Sequence, residues 1–216
     1  VSTNDDEFAR NLEALPNGDL IIAGNLGSQG VIFQADHAGT LIGGLTPDGL
    51  SFSYADVTPA SGGGYYAVGG TFPSFTAYLM KYDNVLLTQW DATISDLTSV
   101  TNVWEEPGSG KIFVTGTGVY NGLSRGVVMR FTDTGSGVSL DWVKFPDLGE
   151  SFYFGGRSTF LPPNQMAFTD GRVSTTAGFG QMDAFLMVSD LLMNSCMTSD
   201  DQGDVMPVIL TYNGPA

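Results

Sequence analysis

The chain holds one histidine, His37, and one cysteine, Cys196. Nucleophilic catalysis needs a base beside the nucleophile. His37 lies in a turn-like Gln34-Ala35-Asp36-His37-Ala38-Gly39 stretch, far from Cys196 in sequence. A Ser-His-Asp set would have to use His37 with its neighbour Asp36, and sequence neighbours rarely make the required hydrogen bond. One Cys and one His also exclude the common zinc sites, which take three or four such ligands. Cys196 reads as a small buried apolar side chain or as the partner of a cysteine elsewhere.

Acids are abundant, with Asp plus Glu 23. Glycoside hydrolysis needs two carboxylates about 5–10 Å apart across a sugar. Glu105-Glu106 is an adjacent pair, and adjacent residues on a strand point to opposite faces, so the pair reads as two solvated acids before the Pro107-Gly108 turn. Calcium needs only hard oxygen ligands. Its best candidate is the turn Asp200-Asp201-Gln202-Gly203-Asp204, with Asp200, Asp201 and Asp204 as ligands, although the spacing of an EF-hand loop is missing; Asn4-Asp5-Asp6-Glu7 is a second acidic stretch. No other cofactor is expected. The glycine runs Ser61-Gly62-Gly63-Gly64 and Gly116-Thr117-Gly118 precede neither a helical pattern nor a lysine. They read as hairpin turns, not phosphate cradles.

Aromatic side chains on turns can stack on sugars. Phe72 and Phe75 in Thr-Phe-Pro-Ser-Phe-Thr, Tyr120 in Val-Tyr-Asn-Gly-Leu and Phe179 in Gly-Phe-Gly-Gln recur at equivalent places in a repeating pattern. They are the candidate ligand-binding residues, with rim packing as the competing role.

The elements that must position these residues repeat. A short β-type run ending in glycine occurs at Leu20–Gly24, Tyr65–Gly69, Ile112–Gly116 and, more loosely, Ala167–Gly171. The spacing is about 45–55 residues, the scale of a supersecondary repeat. A small residue and three apolar residues follow each: Gly30–Phe33, Ala77–Met80, Gly126–Met129 and Ala184–Met187. An Asp or Thr turn comes next, then another apolar segment, with Trp90 in the second copy and Trp142 in the third. A strand-like run ending in a Pro or Gly turn precedes each copy, as in Phe8–Leu15 before Pro16-Asn17-Gly18-Asp19. Turns of this kind between β-rich runs mark hairpins. Helical periodicity is nearly absent.

Four β segments per unit, four times over, predict an all-β fold: a β-propeller or propeller-like array of about four four-stranded blades, closed alone or part of a larger ring. The approximate units are 8–50, 51–96, 97–150 and 151–196, so repeats fill 1–196. Residues 197–216 form an acidic turn and a terminal strand that closes the array or starts the next module. A two-sheet sandwich is the competing architecture, but it does not need self-similarity at a fixed period.

Composition narrows the setting. Lys plus Arg is 8, the formal net charge is −15 and the pI about 4.1. A nucleic-acid groove needs clustered cations, and docking on anionic lipid needs a polybasic segment; neither fits. No apolar run approaches the ~20 residues of a membrane helix. At 42% hydrophobic and 14% charged residues the chain is not disordered. The first residue is Val and no leader pattern follows it, so the chain is expected to be processed or a window on a longer one.

The units resemble the β-propeller repeats of large secreted and cell-surface proteins of bacteria, the Bacteroidetes above all. The residues carrying the resemblance are Leu15-Pro16-Asn17-Gly18-Asp19-Leu20-Ile21-Ile22-Ala23-Gly24 and Gly180-Gln181-Met182-Asp183-Ala184-Phe185-Leu186-Met187. The Kelch and Trp-Asp repeat signatures are missing, and the fourth unit carries an insertion at Phe152–Gly156. The resemblance implies a non-catalytic binding or structural module of a secreted or surface protein, serving adhesion, glycan or protein binding, or surface assembly. Its expected partners are a glycan or protein on the bacterial surface, or further blades and modules of a longer chain, with neither nucleic acid nor membrane insertion. The alternative is a propeller-type glycan hydrolase or lyase. It would draw on Tyr153, Arg157 and Arg172 in the wider fourth unit.

Overall fold

A computed structural model describes residues 7–46, 51–95, 97–120, 122–145, 152–153, 157–162, 164–172, 183–193 and 210–213. Every regular element among them is a β-strand, so the protein is all-β. No helix among the described residues is long and apolar enough to cross a membrane.

The strands form antiparallel meanders in chain order. The first comprises β1 (Glu7–Ala14), β2 (Leu20–Leu26), β3 (Gln29–Ala35) and β4 (Leu41–Leu45). The second comprises β5 (Phe52–Pro59), β6 (Tyr65–Thr71), β7 (Ala77–Tyr82) and β8 (Thr88–Ile94). A single parallel pairing, Gln29 with Phe52, joins β3 to β5. The third comprises β9 (Leu97–Glu106), β10 (Lys111–Tyr120), β11 (Leu123–Asp133) and β12 (Val138–Lys144). In the fourth, β13 (Phe152–Tyr153) and β14 (Ser158–Leu161) pair with successive halves of β15 (Gln165–Arg172), forming one interrupted first strand, while β16 (Asp183–Asp190) pairs along the other edge. A last strand, β17 (Leu210–Asn213), pairs with β8 at the outer edge of the second meander.

Turn chemistry explains the rhythm. Asp36, Asp83, Asp133 and Asp190 each stand at the end of a third strand, and each accepts a backbone N–H two residues on: Ala38 at 2.9 Å, Val85 at 2.9 Å, Gly135 at 2.8 Å and Leu192 at 3.0 Å. The first three of these Asx turns fold the chain back into β4, β8 and β12.

Neighbouring meanders share apolar cores. Ile21, Ala23 and Ile32 pack with Tyr54, Val57 and Ala67 between the first and second. Trp90, Leu79 and Ile94 pack with Val103, Val114 and Phe131 between the second and third. Trp104 and Phe113 stack at 4.2 Å between ring centroids and pack with Met166 and Phe168 between the third and fourth. The first strands lie side by side, β1 against β5, β5 against β9 and β9 against β14.

Three of these first strands are kinked at the same place. The register slips between Ala9 and Asn11, between Tyr54 and Asp56, and between Val100 and Asn102, leaving Arg10, Ala55 and Thr101 as unpaired bulge residues. A bulge bends its strand and re-aims a side chain. The bend presses the strand onto its neighbour and explains the repeated glycine. A Cβ on Gly24 would lie 2.1 Å from the Phe8 carbonyl oxygen, one on Gly69 2.3 Å from that of Ser53, and one on Gly116 2.3 Å from that of Ser99. In the fourth meander the register opposes Ser158 to Phe168, as it opposes Asn11 to Ala23. The equivalent of the glycine is therefore Thr169, two residues before the Gly171 that sequence alignment selects. Its N–H donates to the Arg157 carbonyl at 3.0 Å.

Candidate functional site

The kinked first strands build two layers. The inner layer is a belt of buried polar side chains, Asn11, Asp56, Asn102 and Ser158, one from each meander; Asp56 is 1% exposed. The Asp56 carboxylate accepts from the side-chain amides of both Asn11 and Asn102 and from the Val103 N–H at 2.8 Å. Asn102 in turn accepts from the Ser158 N–H at 2.9 Å. Ser158 receives the Trp104 indole N–H at 3.2 Å. Arg157 lies over the belt. Its guanidinium donates to the Asn11 side-chain oxygen, to the Arg10 carbonyl at 3.0 Å, and approaches Asp56 at 3.5 Å. Burial pushes the Asp56 carboxyl up to about 7, against the lowering by the Val103 N–H, Arg157 and Asn102.

The outer layer is a cleft of about 430 Å³, within the size range of small-ligand sites. Arg10, Ala55 and Thr101, the three bulge residues, line it together with Arg157, which precedes Ser158 as Arg10 precedes Asn11. Phe72 and Phe75 complete its wall. A second depression of about 240 Å³ adjoins it and shares Arg10, Ser53 and Phe72.

The two phenylalanines are held by their loop. They sit between β6 and β7, where Thr71 N–H donates to the Thr76 carbonyl at 3.1 Å and Phe72 N–H to the Ser51 carbonyl at 2.8 Å. The Phe75 ring fills the space a Cβ on Gly70 would take, 2.3 Å away, so Gly70 makes its seat. Phe75 meets Phe72 edge to face at 6.1 Å between centroids. Phe72 itself is 53% exposed. A packed ring thus fixes an exposed one.

The structure brings Phe72 and Phe75 of the sequence candidates together. Tyr120 pairs with Leu123 at the tip of the β10–β11 hairpin. Phe179 and the acidic turn of Asp200, Asp201 and Asp204 lie outside the described residues, as does Cys196. Among the described residues no cluster of three metal-ligating side chains occurs. Arg157, which the alternative enzyme reading would draw on, is a strut of the belt and a wall of the cleft; of the other two, Tyr153 pairs with Gly171 and Arg172 with Phe152. Glu105, read as a solvated acid, also ties two meanders at their exposed edge: it accepts from Ser61 N–H and Oγ, both at 2.6 Å, and from the Gly110 N–H at 3.1 Å.

Sequence reading missed Arg10 and the belt. The available signal was Asn11, Asp56 and Asn102 standing at a near-constant lag before Gly24, Gly69 and Gly116. A polar residue recurring inside an apolar repeat marks a position whose partner lies in the next copy.

The molecule is an all-β protein of repeated antiparallel meanders that share cores through their neighbours. The chain matches no protein-family model and no curated protein.

Proposed function

We propose that the protein is a non-catalytic binding module, built as a β-propeller and belonging to a secreted or cell-surface protein, that holds a glycan or protein ligand in the cleft of Arg10, Phe72, Phe75 and Arg157. The observation that carries the reading is that the three bulge residues Arg10, Ala55 and Thr101, and Arg157 just before Ser158, all line one cleft while differing in chemistry. Scaffold positions repeat because packing demands it, whereas these vary where they meet solvent. Phe72, 53% exposed, adds an apolar side chain at the cleft on which a sugar can stack.

The propeller reading draws support from the side-by-side first strands and the exposed fourth strand β4. Leu12, Ile22 and Phe33 line up across the first meander on the face opposite Ile21 and Ile32. Leu12 is 52% exposed. An apolar row of that kind suits packing against another blade. The bacterial surface setting rests on the resemblance of the repeats. Calcium in the turn of Asp200, Asp201 and Asp204 belongs to the same proposal.

Binding to an immobilised glycan panel tests the reading, with F72A beside the parent and released sugars assayed in the same wells. We expect retention of particular glycans, its loss in F72A, and no product. Sustained product release would replace the module with the hydrolase or lyase alternative. Glycan retention unchanged in F72A would move the site away from this cleft.

A further inference from the structure

Within that binding reading, on which this inference rests, we infer that the cleft selects a sugar bearing a single carboxylate, with Arg10 as its anchor. Cations are scarce: 8 in 216 residues. Lys81, Lys111 and Arg130 are each bonded to an aspartate, at 2.5, 3.0 and 3.0 Å. Arg157 is committed to the belt beneath it. The Arg10 guanidinium has neither a hydrogen bond nor an ion pair among the described residues, though acids outnumber cations almost threefold. It stands at a bulge and lines both depressions, alongside Phe72. None of the described residues lining either depression is a carboxylate.

Two guanidiniums at one cleft in a chain of net charge −15 make a local positive spot on a negative molecule. The planar guanidinium fork matches a carboxylate through paired N–H donors. Beside it Phe72 offers the apolar side chain against which a pyranose ring lies, and Ser99 offers a hydroxyl for its substituents. The rest of the protein limits the ligand to one charge. Screening over about 8 Å at physiological salt leaves a single anion governed by Arg10, whereas a polyanion extending along the surface meets the remaining acids. The ligand is therefore an acidic sugar at the end of an otherwise neutral glycan, not a polyuronate.

The test is calorimetric titration of the intact protein with uronate- and sialate-terminated oligosaccharides, their neutral parents, a sulfated analogue, polygalacturonate and an acidic peptide. R10Q and F72A are measured alongside, each with its melting temperature. We expect at least one acidic sugar to bind about tenfold or more tighter than its neutral parent, the scale of a hydrogen bond to a charged group. R10Q should abolish that difference without lowering Tm, and F72A should weaken acidic and neutral forms alike. Equal binding of acidic and neutral sugars, or a preference untouched by R10Q, overturns the Arg10 assignment while leaving a glycan site in place. Tighter binding of the sulfated analogue or of polygalacturonate overturns the single-carboxylate choice. Binding of the peptide alone overturns the sugar, and no binding by any probe overturns both this inference and the function on which it rests.

Discussion

The Arg157 guanidinium of the fourth meander donates to the Asn11 side-chain oxygen of the first, 146 residues away in sequence. This bond fastens the two most distant meanders at the belt whose centre is the buried carboxyl of Asp56. It also gives Arg157 a structural task that competes with any role in binding.

Arg157→Ala should therefore destabilise the fold. Removal takes the guanidinium from buried Asp56 and one of two donors from the Asn11 oxygen, which keeps the Leu12 N–H at 2.7 Å. We expect a loss of about 1 kcal/mol, the usual net worth of a hydrogen bond, read from urea midpoints. A midpoint equal to the parent's would mean that the belt is closed without Arg157.

Asp56 makes stability depend on pH. Its carboxyl has an ordinary value of 3.8 in the unfolded chain and about 7 in the fold. The folded protein therefore binds the proton more tightly. The stabilising contribution is full below 3.8 and is lost as pH rises through about 7. At about 1.4 kcal/mol for each pH unit between the two values, the loss is at most about 4 kcal/mol. In D56N the group no longer titrates, so the stability difference between parent and D56N should shrink from pH 4 to pH 7. Parallel curves would place the Asp56 carboxyl near its ordinary value.

Asp133 should act in the opposite direction. Burial works to raise its carboxyl, but hydrogen bonds from Lys81, Tyr66 and the Gly135 N–H win and hold it below the ordinary value. Its contribution is present above 3.8 and lost as pH falls through the lowered value. D133N should flatten the acid limb of the pH–stability curve below about pH 4 and leave the pH 4–7 limb alone. An unchanged acid limb would count against the Lys81–Asp133 pair as a source of stability.

The repeat glycines should tolerate no side chain. Gly116→Ala places a methyl 2.3 Å from the Ser99 carbonyl oxygen and 3.2 Å from the Val100 Cα, both backbone atoms of β9. Overpacking of this kind costs about 1–3 kcal/mol. Gly62→Ala, with nothing within 4 Å of its Cβ, serves as the matched control and should be neutral. Equal melting temperatures for the two variants would show that β9 yields without cost.

Calcium in the turn of Asp200, Asp201 and Asp204 predicts that excess EDTA lowers Tm and that added calcium restores it. A melt unmoved by chelator would remove calcium as a structural ion.

Composition and local pattern determined much by themselves. Apolar runs of three to five residues between Gly, Pro and Asx turns leave the backbone little choice but short antiparallel strands, and four such runs per repeat gave the meanders. The aspartates at 36, 83, 133 and 190 were legible because an Asx turn is satisfied within a few residues. The loop of Phe72 and Phe75 was legible for the same reason. What the linear chain does not carry is the partner of a residue in another copy. The tie from Glu105 to Ser61 spans 44 residues, and the partners of Arg157, Asn11 and Asp56, lie 146 and 101 residues from it. The repeat glycines were visible as a pattern, but their cause is the bulge in a neighbouring strand, which packs against them only once the sheet has formed. Register, too, was decided in three dimensions: pairing through the whole of β15 puts Thr169, not Gly171, at the fourth glycine position. Arg10 became a binding candidate only when a bulge turned it toward the same cleft as Phe72, since local sequence sets the turn and tertiary packing sets the direction in which a side chain points.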